Sequence, residues 1–295
     1  MHQLTEPQLK IVKFLRRLLP ILSPSFVPPP NDKVITKVIS NLDYYLPFRR
    51  HAPSLKNARQ VIYADEERLS SKDGIGFFNI LAFRGVFFGS PFAQSHRYRW
   101  FSSLTEWEHF RDAGKGRGDT YKGEEYYVKK SCYGQSQTGR QLSLLSSYWD
   151  KRLLWNDLFN KSEKPSVTHV FRWLTSVCAS TDQTKKTTTL FPNIGKLTAL
   201  LICADLVEAG LLDMPSAREW ASSINKMGKG SKSGMEKCGF VQNGCSPDEF
   251  CNAFTLLDQA LQMELSEDEK EAMGYNVIML EHVLCKIQRI GVDSF

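Results

Sequence analysis

The stretch FPNIGKLTALLICADL, Phe191 to Leu206, joins a Pro-x-x-Gly turn to a helix. Such a junction suits an anion. Glycine lets the backbone approach a charged group closely, and the first N–H groups of the helix point outward without partners of their own. Lys196, at the helix start, adds a cation. Asn193, Gly195 and Lys196 are therefore phosphate-binding candidates in the hairpin of a helix-hairpin-helix element, a device for holding nucleic-acid phosphate. A second stretch, GKGSKSG at Gly228 to Gly234, has similar ingredients: Gly228 and Gly230 for close approach, Lys229 and Lys232 as donors. Both also have a plain reading, the first as helix punctuation and the second as a linker.

Two further charges fall on apolar helical faces. Val277, Leu280, Leu284 and Ile287 form one stripe at helical spacing, and Glu281 lies inside it. A carboxylate there must be paired or have a raised pKa, which makes it a candidate acid or base. His282, Cys285 and Arg289 line the neighbouring face. Arg84 poses the same problem with the opposite sign, because Phe77, Ile80, Leu81 and Phe88 surround it if residues 77–88 are a helix. A buried guanidinium needs a carboxylate or a phosphate. Asp205 and Glu281 are the candidate partners, and the pair is as readily structural as catalytic.

The elements that must position these groups read as mostly helical. Amphipathic patterns cover residues 5–19, 34–46, 64–70, 104–113, 142–159, 167–179, 216–226, 247–261 and about 269–290. Pro20 ends the first, and Pro24 with Pro28 to Pro30 makes a stiff connector. Residues 77–88 are apolar nearly all round, the pattern of a buried helix, with a buried strand as the alternative. Residues 114–133 carry four glycines and four tyrosines and read as a loop or short hairpin. The expected class is all-α, with an N-terminal helical extension over 1–69 and a main helical domain over 70–295 interrupted by an insertion near 114–140.

At 295 residues, 42% hydrophobic and 24% charged, the chain has the composition of an ordinary soluble globular protein. The net charge of +6 is uneven: residues 1 to 200 hold 30 Lys and Arg against 17 Asp and Glu, whereas residues 201 to 295 hold 8 against 15. That excess favours a polyanionic partner. No apolar run reaches the length of a membrane span, and the N-terminus lacks the features of a secretory signal, so no membrane partner is expected. Seven scattered cysteines imply reduced thiols in an intracellular compartment, the nucleus in a eukaryote. The spacing of Cys238, Cys245 and Cys251 fits no standard zinc ribbon, and neither a metal nor a cofactor is expected.

Taken in order, FFNILAFR (Phe77 to Arg84), FPNIGKLTALLICADL, GKGSKSGM (Gly228 to Met235) and LEHVLCK (Leu280 to Lys286) resemble the alpha-glutamyl/putrescinyl thymine pyrophosphorylase family, related to the helical domain of 5-hydroxymethyluracil DNA kinases. The resemblance covers roughly residues 70 to 290. It places Asn79 and Arg84, Gly195 and Asp205, Gly228 and Gly230, and Glu281, His282 and Cys285 on the family's motifs. The loop reads Gly-Lys-Gly where the family has Gly-Pro-Gly, Lys286 directly follows Cys285, and the insertion near 114–140 has no counterpart, so the chain resembles a divergent branch.

The resemblance implies a helix-hairpin-helix, glycosylase-like fold and chemistry on DNA containing a modified pyrimidine. A pyrophosphorylated 5-hydroxymethyl group would lose pyrophosphate to an amine or amino-acid donor. On that scheme Arg84 and the Gly228 to Lys232 loop bind pyrophosphate, Glu281 or Asp205 is the base, His282 orients it, and the Pro192 to Lys196 hairpin clamps the DNA backbone. Base excision, with Asp213 beyond the hairpin, and non-catalytic recognition of modified DNA are the alternatives.

Overall fold

The computed structural model describes residues 4–116, 125–126, 144–159, 163–179, 187–226 and 230–291. The chain divides into two compact units, residues 1–52 with 215–295, and residues 53–214. The first opens with α1 (Glu6–Leu18), α2 (Lys33–Ser40) and α3 (Leu42–Tyr45). The second contains α4 (Pro53–Val61), α5 (Glu66–Leu69), α6 (Ile75–Ala82), α7 (Pro91–Gln94), α8 (Leu104–Gly116), α9 (Leu144–Asp150), α10 (Asn156–Phe159) and α11 (Val167–Leu174). An antiparallel ribbon of β1 (Val177–Ala179) and β2 (Thr187–Thr189) then leads to α12 (Lys196–Glu208). The first unit is completed by α13 (Ala217–Asn225), α14 (Gly230–Lys237), α15 (Pro247–Glu264), α16 (Glu267–Met273) and α17 (Val277–Ile290).

The class is all-α, with that ribbon as the sheet among the described residues. No helix among them is long and apolar enough to cross a membrane. The division expected at residues 69 and 70 falls inside the second unit, where α5 packs on α6: a Cβ added at Gly76 would collide with the Leu69 backbone. The insertion expected near 114–140 lies, beyond Gly116 and apart from residues 125 and 126, outside the described residues. Charge divides differently in space than along the chain. The second unit holds 22 Lys and Arg against 17 Asp and Glu, the first 16 against 15.

In the first unit, Ser216, Ser246 and Ser266 each open a helix in a capping box with Glu219, Glu249 and Glu269. The single helix expected over about 269–290 is two, because Gly274 takes a left-handed φ of 64° that ends α16, and Asn276 caps α17. Lys286, buried in α17, donates to the carbonyls of Asp43 and Tyr44 at the end of α3. Lys37 returns the favour, donating to the last carbonyls of α17 at Arg289 and Ile290. Each lysine thereby satisfies carbonyls that a helix end leaves without partners.

The second unit is built around α6, whose residues 76–82 are all buried. Phe77 stacks on Trp155 at 4.6 Å between ring centroids and meets Phe191 edge-on at 5.2 Å. The helix does not continue regularly to Phe88. It widens into a π-helical turn over Phe83–Phe87, closed by the Phe88 N–H to Phe83 carbonyl bond of 2.7 Å. Such a turn rotates the following side chains relative to the α-helical path.

Candidate functional site

The Pro192 to Lys196 hairpin is a tip held by two anchors. Phe191 and Ile194 are fully buried, each contributing about 1.5–3 kcal/mol through burial. Asn193, Gly195 and Lys196, between and beyond them, are exposed. The Ile194 N–H bonds the Phe191 carbonyl at 3.1 Å, which closes the turn, and Asn193 takes the left-handed conformation at φ 61°. Asparagine tolerates that conformation far better than a β-branched residue. Gly195 is the N-cap of α12 and supplies no capping side chain. Its backbone is extended, and a Cβ there would meet nothing within 4 Å. Packing therefore does not require a glycine at 195. α11 and α12 pack on one another. The element directly before the hairpin, however, is strand β2. The helix expected over 167–179 ends at Leu174 because Val177–Ala179 pair with Thr187–Thr189.

The underside of the hairpin is tied to α9 and the residue after it. The Tyr148 hydroxyl donates to the Pro192 carbonyl at 2.6 Å, and the Lys151 ammonium donates to the Leu190 carbonyl at 2.6 Å. Neither residue carries a sequence signal for this role, because nothing local couples residues 148 and 192.

Arg84 is fully buried on the π-helical turn and meets Asp205 of α12 through two parallel bonds, Nε to Oδ2 at 2.5 Å and Nη2 to Oδ1 at 2.6 Å. Tyr63 donates to the same Oδ2 at 2.9 Å, and the Phe88 and Phe83 rings lie 4.4 Å and 5.0 Å from the guanidinium. Burial holds the Tyr63 phenol well above its ordinary pKa, as does the neighbouring Asp205. Of the two carboxylates open to Arg84, the partner is Asp205. At most 1% exposed, Arg84, the expected pyrophosphate binder, and Asp205, a candidate base, form a buried ion pair that fixes α12 to the π-turn. Asn79 is spent in the same manner. Its amide donates to the Ile75 and Phe101 carbonyls and accepts from the Phe101 N–H, bracing the segment after α7.

In the first unit, Glu281 is 6% exposed on α17 and accepts from the Cys285 thiol at 3.0 Å. Burial raises its carboxyl pKa, against the opposing pull of the Cys285 hydrogen bond and of Arg49, Arg289 and Lys286. The Cys285 thiol is itself pushed well above its usual range by burial and by Glu281. The hydrogen bond to Glu281 comes from Cys285, one turn further along α17, since neighbours at i and i+4 face one another on a helix. A carboxyl with a raised folded pKa binds its proton more tightly in the native state, so stability is fully present below the unfolded value near 4.5 and is lost as pH rises through the folded value. Each tenfold difference in proton affinity is worth about 1.4 kcal/mol. Urea melts between pH 4 and pH 8 should show Glu281→Gln flattening this slope and matching or exceeding the wild type at the alkaline end. An unchanged slope would remove Glu281 as its source.

The described part of the glycine-rich stretch, from Gly230 on, is helical rather than a loop. Gly228 and Lys229 lie outside the described residues, and from Gly230 the chain is the helix α14. A Cβ at Gly230 would collide with the Cys285 sulfur, and one at Gly234 with the Leu284 carbonyl. These glycines, four apart on one helical face, let α14 lie directly on α17; Lys232 is half-buried on the same helix. A groove of about 1170 Å³ in this unit, lined by Glu236, Phe240, Glu249 and Leu256 among others, includes none of the predicted site residues. Among the described residues, no three His, Cys, Asp or Glu side chains are placed to hold a metal ion.

Compared with protein-family models, curated proteins and solved structures, the chain matches none of them.

Proposed function

We propose that this chain is a DNA-binding enzyme that hypermodifies a pyrimidine base, gripping the backbone with the Pro192 to Lys196 hairpin. The observation that carries the reading is the N-terminus of α12. It has an exposed glycine cap with open space around it, an exposed lysine beside it, and a turn locked underneath. A phosphate oxygen is the group such a helix end accepts. The helix-hairpin-helix, glycosylase-like assignment and the thymine pyrophosphorylase chemistry belong to the same proposal, resting on motif order. In that chemistry, the nitrogen of an amine donor bonds the 5-methylene carbon, the carbon–oxygen bond breaks, pyrophosphate leaves with the electron pair, and a carboxylate takes the amine proton. On motif order, Glu281 is the carboxylate assigned to it.

Base excision keeps one observation in its favour, the exposed Asp213 five residues beyond the end of α12. The deciding experiment is mass spectrometry of nucleosides from DNA bearing 5-hydroxymethyluracil pyrophosphate, incubated with the protein with and without an amine pool. The expected product is an amine adduct at the 5-methylene, absent with Glu281→Gln. Free base would establish excision instead, and bound but unaltered DNA would reduce the protein to a recognition module.

A further inference from the structure

We infer that Tyr148 is the positioning residue of the phosphate-binding hairpin, and that the π-helical turn with Gly85 exists to admit its hydroxyl; this rests on the reading of the hairpin as a phosphate contact. The hydroxyl lies 2.6 Å from the Pro192 carbonyl, the residue before the left-handed Asn193 and three before the Gly195 cap. It reaches there by passing Gly85: a Cβ at that position would collide with the Tyr148 hydroxyl and ring. Tyr148 is fully buried, and its bond to the half-buried Pro192 is partly shielded from competing water. One π-turn therefore performs two tasks. Arg84 grips Asp205 within α12, and Gly85, the next residue, opens the path to the turn that precedes the same helix. Lys151, bonded to the Leu190 carbonyl, braces the other side of that turn. Fixed at Leu190 and Pro192 and anchored by Phe191 and Ile194, the exposed N–H groups after Gly195 stand preorganised, and preorganisation is what makes a hydrogen-bonding site tight.

The test compares Tyr148→Phe with Tyr63→Phe, each removing one buried hydroxyl from the second unit; only the first touches the hairpin. Two readouts are taken on the full chain: hydrogen exchange of the peptide covering residues 190–196, and the affinity of a 20-base-pair duplex as a function of salt. Tyr148→Phe should exchange that peptide at least tenfold faster than the wild type and weaken duplex binding about fivefold at fixed salt, with the slope of log affinity against log salt unchanged because no cation is lost. Tyr63→Phe should leave both the local exchange and the affinity unchanged. Gly85→Ala should behave as Tyr148→Phe, which keeps the idea testable by a second route. Equal behaviour of Tyr148→Phe and wild type, or of the two phenylalanine variants, overturns the inference. A wild type that protects 190–196 through Tyr148 yet binds no duplex overturns the phosphate reading and leaves the bracing role standing.

Discussion

Replacing Arg84 by methionine will destabilise the protein by about 3–5 kcal/mol, the cost of leaving a buried carboxylate without its partner. The guanidinium meets Asp205 through two parallel bonds in a site from which solvent is excluded, and the Tyr63 hydroxyl bonds Oδ2 rather than Oδ1. Asp205→Leu should cost a similar amount by stranding the guanidinium between the Phe83 and Phe88 rings. The double variant Arg84→Met/Asp205→Leu should recover most of the loss. An apolar pair of similar volume needs no desolvation of charge, and buried ion pairs replaced as a unit are often close to neutral. Urea denaturation of the four proteins measures the coupling. If a single variant does not fold, recovery of folded protein by the double variant reports the same coupling. Additive losses would show that the two charges act independently and that the pair is not what fixes α12.

Such a pair marks the limit of what the sequence could specify. A guanidinium among Phe77, Ile80, Leu81 and Phe88 demands a partner from composition alone. Which of two carboxylates answers depends on how α12 and α17 are placed, and no local pattern encodes that. The same limit explains the glycine-rich stretch. Gly230, read along the chain with Gly228, looks like part of a phosphate cradle, and only the presence of α17 against Gly230 and Gly234 reveals glycines that allow close packing. The ribbon between α11 and α12 was hidden because Val177 to Ala179 extends an apolar helical pattern, while the strand that captures it, Thr187 to Thr189, lies beyond a polar segment. What was legible was local. The Pro192 to Lys196 turn, the helix after it and the burial of Glu281 were all written in spacings of three to five residues.

Gly195→Ser will separate the hairpin's structural role from its binding role. Serine is among the preferred residues at an N-cap, and glycine trails it there by a few tenths of a kcal/mol. The extended backbone at 195 accepts any residue, and the space around its Cβ is open, so the variant should be as stable as the wild type or slightly more so. The serine hydroxyl, however, would accept from the N–H groups at the start of α12, the donors assigned here to a phosphate oxygen. Side chain and ligand would compete for the same hydrogen bonds. Duplex affinity should therefore fall at least tenfold at fixed salt while the urea midpoint holds or rises. Lys196→Ala, which removes an exposed cation and leaves the N–H groups intact, should instead lower the slope of log affinity against log salt by about 0.9 with little change in stability. A loss of binding that tracks a loss of stability would make the hairpin a structural turn. Full binding by Gly195→Ser would place the nucleic-acid contact elsewhere, because the serine hydroxyl would occupy an N2 or N3 N–H assigned here to the phosphate.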